Sequence, residues 1–240
     1  MRNYLSFGGG VNSVALHLLL LDQGVDFESV FVNHGTDWPE TYDYVAGFQW
    51  WLKVNGHKPI TILRPEYQGF QVLHEYCEDN KIMPATWPRW CTSRFKVRPI
   101  EKYYKKPCFQ FIGIDAGESH RAKWHVSKSI ENRWPLIEND IDRNGCIAII
   151  KKYNLPVPPK SGCFICPFQR RSQWLKLRRE NPCLFQRAVE LEKLNNDHRK
   201  KIGKQPFYLS ANRMALTDVV NENQGKLFEE MEYPPCQCGL

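Results

Sequence analysis

Short apolar runs alternate with helical patterns through the first half of the chain, and this alternation restricts the fold more than any other feature. Four runs have the length and apolar character of buried strands, at residues 4–7, 29–32, 60–63 and 109–114. Helices are predicted between them over residues 14–21 and from an N-cap at Asp37 toward Gly56. Strands that alternate with helices form βαβ units. We therefore predict an α/β fold with a twisted, mostly parallel sheet flanked by helices.

A glycine triplet lies between the first predicted strand and the first predicted helix, in the run Ser-Phe-Gly-Gly-Gly-Val-Asn-Ser of residues 6–13. Backbone N–H groups in such a loop can approach an oxyanion, and the helix N-terminus adds partial positive charge. A tight turn without a ligand would also contain glycine, but the loop is expected at the carboxyl edge of the sheet, where ligands of open parallel sheets bind. We predict a phosphate site here, at which a side chain on Gly9 would block the phosphate. The lysine of a Walker motif and the spacing of a dinucleotide fingerprint are both missing.

This loop resembles the PP-loop of ATP pyrophosphatases and the equivalent loop of phosphoadenosine phosphosulfate (PAPS) reductases. The resemblance assigns binding of the nucleotide to Ser6, Gly8, Gly9, Gly10, Asn12 and Ser13. Asn12 stands where the pyrophosphatases have an aspartate, so it can hydrogen-bond but cannot offer a carboxylate to Mg²⁺. The family implies an adenine nucleotide alpha-hydrolase-like fold that binds ATP or another adenine nucleotide.

The pattern changes at a proline-rich connector, residues 155–160. Charged helical sequence follows from residue 173 to about residue 200. We predict a nucleotide-binding, PP-loop-like α/β domain over residues 1–155 and a helical, cysteine-containing C-terminal region over residues 156–240.

Further segments resemble the same family in the same order along the chain. They are residues 89–99, 113–121, 134–136 and 161–163. The resemblance implies that Lys96 and Arg121 act catalytically on a phosphate or sulfate group, which suits the chemistry of both side chains. It also implies that Gly113 borders the nucleotide. His34 follows the second predicted strand, where adenine or ribose contacts fall in this fold, and is assigned to the nucleotide; a packed loop histidine is the alternative.

The cysteines indicate a metal centre rather than disulfides. Nine cysteines are an odd number, and Cys163-x-x-Cys166 can direct two thiolates at one metal. The resemblance adds Cys91 as the third ligand and implies a 4Fe-4S cluster, with zinc as the alternative because thiolates suit both.

The fourth ligand is open among Cys146, Cys183, Cys236 and Cys238. Cys238-Gly239-Leu240 resembles the terminus that carries the nucleophile of sulfonucleotide reductases, so Cys238 is either the catalytic nucleophile or the fourth ligand. Cys77 and Cys108 are interpreted as small packed side chains.

Charge and hydropathy narrow the class of partner. The chain of 240 residues has a formal net charge of +7, which favours a partner that carries phosphate. The N-terminus has no leader pattern, and no apolar run approaches the roughly 18 residues of a membrane span, so a cytoplasmic protein without membrane contact is predicted. A basic stretch over residues 176–201 is compatible with contact to nucleic acid, although helix surfaces often carry such charge.

The favoured hypothesis is an enzyme that adenylates an acceptor, such as a nucleic acid, and transfers sulfur to it. It would use ATP, Mg²⁺ and a sulfur donor. A reductase of PAPS or a related sulfonucleotide, served by a thiol-reductant protein, is the first alternative. A non-catalytic nucleic-acid-binding module that contains zinc is the second.

Overall fold

The computed structural model describes residues 1–122 and 129–221 and contains a five-stranded, all-parallel sheet. The strands follow the order β3-β2-β1-β4-β5. They are β1 (Arg2–Ser6), β2 (Glu28–Val32), β3 (Thr61–Leu63), β4 (Cys108–Ile112) and β5 (Ile130–Arg133). Helices flank the sheet, so the predicted α/β fold is confirmed.

The helices of the described residues vary in length from three to 20 residues. They are α1 (Val11–Asp22), α2 (Pro39–Val54), α3 (Leu73–Asp79), α4 (Trp90–Thr92), α5 (Arg98–Tyr103), α6 (Pro135–Glu138), α7 (Arg143–Lys152), α8 (Arg171–Glu180), α9 (Pro182–Lys201) and α10 (Leu216–Val219). A π-helical segment, Ser93–Val97, joins α4 to α5, and a 3-10 turn, Ala116–Arg121, follows β4. Within residues 1–122 and 129–221, no helix combines the length and apolar character needed to cross a bilayer.

The order of the strands creates a crevice between β1 and β4. The chain proceeds from β1 outward to β2 and β3, and then returns to the other side of β1 with β4. Open parallel sheets bind ligands at such a reversal, outside the carboxyl ends of the strands. The loops after β1 and β4 pack closely there, since a Cβ on Gly113 would lie 2.9 Å from the backbone nitrogen of Ser13.

Two hydrophobic clusters stabilise the two ends of the molecule. The first joins the sheet to α1, α2 and α7 through buried side chains such as Leu16, Phe48 and Ile150. The second joins α3, α8 and α9 around Phe164 and Trp174. Cys163 and Cys166 belong to this second cluster and are each only 7% exposed.

Some local predictions were incomplete. The helical sequence predicted from residue 173 to about residue 200 forms two helices, because α8 ends at Glu180 and Pro182 begins α9. Proline is tolerated in the first turn of a helix but not in its interior. The strand β5 and the helix α7 were not predicted, since β5 is short and carries charged side chains at Glu131 and Arg133.

Asp37 is not a helix cap. Helix α2 begins at Pro39 with Trp38 at the N-cap position, and no side chain caps it. The Asp37 side chain is instead buried and interacts with groups from three other parts of the chain. Buried charges near Asp37 attract its carboxylate more strongly than the free N–H groups of α2.

Candidate functional site

A cleft of about 520 Å³ opens at the crevice between β1 and β4. We call it the loop cleft; among the residues that line it are Ser6, Gly8, Gly10, Asn12, Ser13 and Gly113. Eight residues were predicted to bind the nucleotide, and six of them border this one cleft. Its size is within the range of small-molecule sites.

The glycine loop presents its backbone to this cleft at the start of α1. Gly10 is the N-cap residue, and no side chain satisfies the first N–H groups of the helix. Such groups carry partial positive charge and bind anions. A Cβ on Gly8 would meet nothing within 4 Å, whereas a Cβ on Gly10 would lie 2.7 Å from Ser161 Oγ. Gly8 therefore faces open space, and Gly10 permits the close approach of the segment that contains Ser161.

Gly9 does not have the predicted role. It has φ of +69°, and a Cβ there would lie 2.9 Å from Val45 Cγ2 and 3.2 Å from Thr41 Cγ2. A side chain at Gly9 would therefore collide with α2 and strain the backbone, rather than block a phosphate. The loop needs glycine at this position for its own packing.

Asn12 is held by a network that brings a carboxylate to its side. Asn12 Nδ2 donates to Asp115 Oδ2 at 2.9 Å, and Arg143 Nη1 donates to Asn12 Oδ1 at 3.0 Å. Asp115 is buried and also accepts from the backbone N–H of Glu118 through Oδ1, at 3.1 Å. The carboxylate missing at position 12 is thus present on the neighbouring loop, after β4.

Cationic side chains line the other wall of the loop cleft. Arg121, Arg143 and Lys160 all border it. Arg121 forms an ion pair with Glu118, and its Nε is buried with no hydrogen-bond partner among the described residues. Burial, followed by repulsion from Arg170, lowers the pKa of Lys160. The wall is therefore suited to an anion, which would supply the missing partners.

A second, smaller cavity lies where the segment after the connector crosses the start of α2. Trp38 N donates to Gly162 O at 2.9 Å, and Phe164 N donates to Thr36 O at 3.0 Å. These bonds pair Asp37 antiparallel with Cys163. We call this cavity the thiol pocket; its lining includes His34, Cys91, Lys96, Cys163 and Cys166. Its free volume is about 20 Å³, close to the space of a single water-sized body.

Four functional groups meet at one wall of the thiol pocket. His34 Nε2 lies 3.3 Å from Asp37 Oδ2 and 3.7 Å from Cys163 Sγ. Cys163 Sγ donates to Asp37 Oδ1 at 3.5 Å, and Lys96 Nζ lies 3.6 Å from the same oxygen. His34 is fully buried and Asp37 is 5% exposed. Buried charges persist only when they are paired, so Asp37 and Lys96 stabilise each other here.

The thiol pocket keeps its carboxylate ionised and its thiols protonated. Burial alone would raise the pKa of Asp37, but the attraction of His34 and Lys96 outweighs it, so the pKa lies well below its usual range. Burial alone would lower the pKa of Lys96, but the attraction of Asp37 and the nearby thiols outweighs burial, so the pKa is raised. Burial raises the pKa of Cys163 strongly, that of Cys166 to about 11, and that of Cys91. Lys96 favours ionisation of these thiols but does not offset the effect of burial, so a bound cation would add the positive charge that ionisation requires.

The predicted metal ligands are partly brought together. Cys91, Cys163 and Cys166 all line the thiol pocket. Cys146 is buried in the cluster of α1 and α7, and Cys183 is exposed at the start of α9, so neither borders the pocket. Cys77 and Cys108 are buried in hydrophobic clusters, as predicted for packed side chains. Cys236 and Cys238 lie outside the described residues.

Two residues predicted to act at the nucleotide site lie in the other cavity. Lys96 and His34 were assigned to the nucleotide but line the thiol pocket. The backbone explains both positions. The π-helical segment directs Lys96 toward Asp37, and the loop after β2 places His34 beside Cys163. Sequence reasoning missed Asp115, Arg143 and Lys160; Asp115 stood within a family-like segment, whereas Arg143 had no signal at all.

One segment forms a wall of both cavities. Residues 159–161 border the loop cleft, and residues 165–168 together with Cys163 border the thiol pocket. The two candidate sites are therefore connected by fewer than ten residues of continuous chain. A ligand that moves this segment in one cavity would affect the other.

Comparisons with known proteins place the chain beside relatives whose roles are open. No protein-family model matches it. It is similar to uncharacterized protein MJ0066 of Methanocaldococcus jannaschii, 28% identical over 203 residues that cover 76% of this chain and 40% of that protein. It is also similar to uncharacterized protein MJ0973 of the same organism, 25% identical over 211 residues that cover 80% of this chain and 48% of that protein. The chain thus spans less than half the length of these curated relatives.

Proposed function

We propose that this protein binds an adenine nucleotide in the loop cleft and transfers sulfur to an acceptor with the help of a metal held in the thiol pocket. The observation that carries the proposal is the shared segment: residues 159–161 line the loop cleft, and the residues that follow directly, among them Cys163 and Cys166, line the thiol pocket. Nucleotide activation and sulfur chemistry would then occur at adjoining sites. The resemblance to the PP-loop and PAPS reductase family supports the same pairing.

The loop cleft supports binding of a nucleotide phosphate. Backbone N–H groups at the start of α1, an open Gly8 and the cations Arg121, Arg143 and Lys160 converge on a cavity of about 520 Å³. Several donors of this kind are what a triphosphate or a sulfonucleotide requires. Adenine itself is assigned through the family resemblance.

Adenylation is the favoured chemistry of this cleft. An acceptor oxygen would bond to the α-phosphorus of ATP while the bond to pyrophosphate breaks, and sulfur from a donor would then displace AMP from the acceptor. Asn12 cannot bind Mg²⁺ as a carboxylate, but Asp115, 2.9 Å from it, can. The departure from the pyrophosphatase motif is thereby compensated by the next loop.

The thiol pocket supports a thiolate-bound metal. The buried thiols of Cys163 and Cys166, the partly buried thiol of Cys91 and one imidazole line a single cavity. Such a soft donor set suits either a 4Fe-4S cluster or zinc. When bound, such a centre would hold sulfur for transfer or fix the thiolates in place.

The acceptor is proposed to be a nucleic acid. The net charge of +7 favours a polyanion. Part of the predicted basic stretch is already engaged, because Arg187 pairs with Glu78 and Arg178 donates to Val220 O. Arg199 likewise donates to Gln205 O, so Lys200 and Lys201 at the end of α9 are the better candidates for phosphate contact.

A sulfonucleotide reductase is the second candidate. It rests on the sequence Cys238-Gly239-Leu240, which resembles the nucleophile-bearing terminus of such enzymes. A reductase attacks sulfate sulfur with a thiolate, so it would depend on Cys238. The adenylating enzyme would not need that thiol for release of pyrophosphate.

Two assays on the purified full chain test these candidates together. Pyrophosphate release from ATP is measured with and without added tRNA or DNA, and thiol-dependent sulfite release is measured from PAPS and from its unphosphorylated analogue. Pyrophosphate release stimulated by an acceptor is the expected result. Sulfite release that disappears in Cys238→Ser would select the reductase instead. Activity in neither assay, from protein that holds its metal, would overturn both and favour a zinc-containing binding module.

A further inference from the structure

We infer that His34, Asp37 and Cys163 bind a single divalent metal ion at the wall of the thiol pocket, with zinc as the expected ion. This inference rests on the proposed function and selects the single-ion alternative for its metal centre. It adds an imidazole and a carboxylate to a ligand set that the sequence indicates only as thiolates.

The distances between the donor groups of the three side chains carry the inference. His34 Nε2 lies 3.3 Å from Asp37 Oδ2, and Cys163 Sγ lies 3.5 Å from the other carboxylate oxygen, Oδ1, and 3.7 Å from His34 Nε2. One ligand atom from each of the three side chains lies within 4.8 Å of the other two. Ordinary zinc bond lengths in a tetrahedron place nitrogen and oxygen ligands about 3.4 Å apart, and sulfur about 3.6 Å from either. The three side chains therefore already have the spacing of ligands to one ion.

The three thiols are arranged differently. Among the described residues, the only group of three or more His, Cys, Asp or Glu side chains whose ligand atoms all lie within 4.8 Å of one another is this one. Cys91 and Cys166 line the same pocket but do not complete such a group with Cys163. A free volume of about 20 Å³ also suits one ion, whereas a four-iron cluster would require the walls to move apart.

Charge and burial support an ion at this position. His34 is fully buried and the Asp37 side chain is 3% exposed, so water competes weakly for either donor, and the Asp37 carboxylate supplies negative charge to an ion. His34 Nε2 makes the contacts of the ring with Asp37 and Cys163. His34 Nδ1 is buried and has no hydrogen-bond partner among the described residues.

The test begins with wild-type protein purified anaerobically. Metal analysis should give one zinc per chain, and X-ray absorption at the zinc edge should give a mixed shell of sulfur with nitrogen or oxygen. Cobalt substitution should give the intense visible bands of a tetrahedral site. A shell of four sulfurs, iron with acid-labile sulfide, or protein that takes up no added Zn²⁺ would each overturn the inference.

Variants then identify the ligands. His34→Ala and Asp37→Ala should each weaken zinc binding at least tenfold in competition with a chelator, and Cys163→Ser should abolish it. The matched control is His74→Asn: His74 is also buried, contacts Phe164 and does not line the pocket, so zinc affinity should be unchanged. Circular dichroism checks that each variant is folded. Unchanged zinc affinity in both alanine variants would contradict the assignment.

Failure of this inference is distinguishable from failure of the proposed function. An iron–sulfur spectrum with acceptor-stimulated pyrophosphate release would overturn the single ion and leave the function standing. One zinc in a mixed shell without either enzymatic activity would uphold the ion and remove the function.

Discussion

The loop cleft and the thiol pocket share one segment of chain but differ in volume, burial and the groups that line them. The cleft is open, holds about 520 Å³ and relies on backbone N–H groups and cations that water can reach. The pocket is narrower, holds about 20 Å³ and contains an ion pair and the buried thiols of Cys163 and Cys166. The cleft can therefore exchange a soluble ligand, whereas the pocket is suited to a component that stays.

This difference has energetic consequences. Charges in an exposed cleft interact weakly with one another because water screens them, so single changes there should alter ligand affinity more than stability. A charge left unpaired in the pocket must be desolvated, and single changes there should alter stability first. The four predictions below test this contrast, from the largest expected effect to the smallest.

The largest effect is expected for Asp37→Asn in the metal-free protein. The change leaves the buried Lys96 ammonium without its counter-charge, which should lower the free energy of unfolding by about 3–5 kcal/mol. Denaturant unfolding of Asp37→Asn, Lys96→Met and the double variant measures it. The double variant should be more stable than Asp37→Asn alone. A single-variant loss below about 1 kcal/mol would mean that water reaches the pair.

The second prediction concerns alkaline pH. Burial raises the pKa of Cys166 from 9.0 to about 11, so the folded protein retains a proton that the unfolded chain loses. The contribution of this thiol is thus fully present below pH 9 and is lost as pH rises toward 11, by about 3 kcal/mol in metal-free protein. Unfolding free energies between pH 8 and pH 11 should fall less steeply in Cys166→Ala. Identical pH profiles would argue against a buried, protonated thiol.

The third prediction is that the same substitution has different effects at two adjacent glycines of the glycine loop. Gly9→Val should lower stability by about 2 kcal/mol or more, because it strains a backbone with φ of +69° and meets Val45. Gly8→Val points into open space at the cleft, so it should leave stability nearly unchanged but weaken ATP binding at least tenfold. Calorimetry of ATP binding and thermal unfolding measure the pair. ATP affinity that Gly8→Val leaves unchanged would make the loop a plain turn.

The smallest effect is expected for Asn12→Asp. The new carboxylate would face Asp115 in place of a hydrogen bond, but Arg143 next to it offsets the repulsion, so the loss of stability should be about 1 kcal/mol. Added Mg²⁺ with ATP should restore or improve it, since two carboxylates then share the metal ion. Thermal unfolding with and without Mg²⁺–ATP provides the measurement. Destabilisation that Mg²⁺–ATP leaves unchanged would count against a metal ion at this position.

Much of the fold and part of each site could be predicted from local pattern. Apolar runs predict the first four strands. The glycine triplet predicts the loop, because few other local structures require glycine. The motif Cys163-x-x-Cys166 indicated thiol chemistry by spacing alone. Strand β5 escaped prediction because pairing with β4, rather than its own residues, makes Ile130–Arg133 a strand.

The sequence by itself determined which groups are present: a glycine loop after the first strand, nine cysteines and an excess of cations. Tertiary structure alone decided where each group lies. The crossing of residues 36–38 with residues 162–164 brings Cys163 to His34 and Asp37, although it is far from them along the chain. In the same way, the return of the chain at β4 supplies Asp115 to Asn12. Local patterns report what a residue can form with its neighbours in sequence, whereas the pairing of buried charges depends on distances that only the folded chain sets.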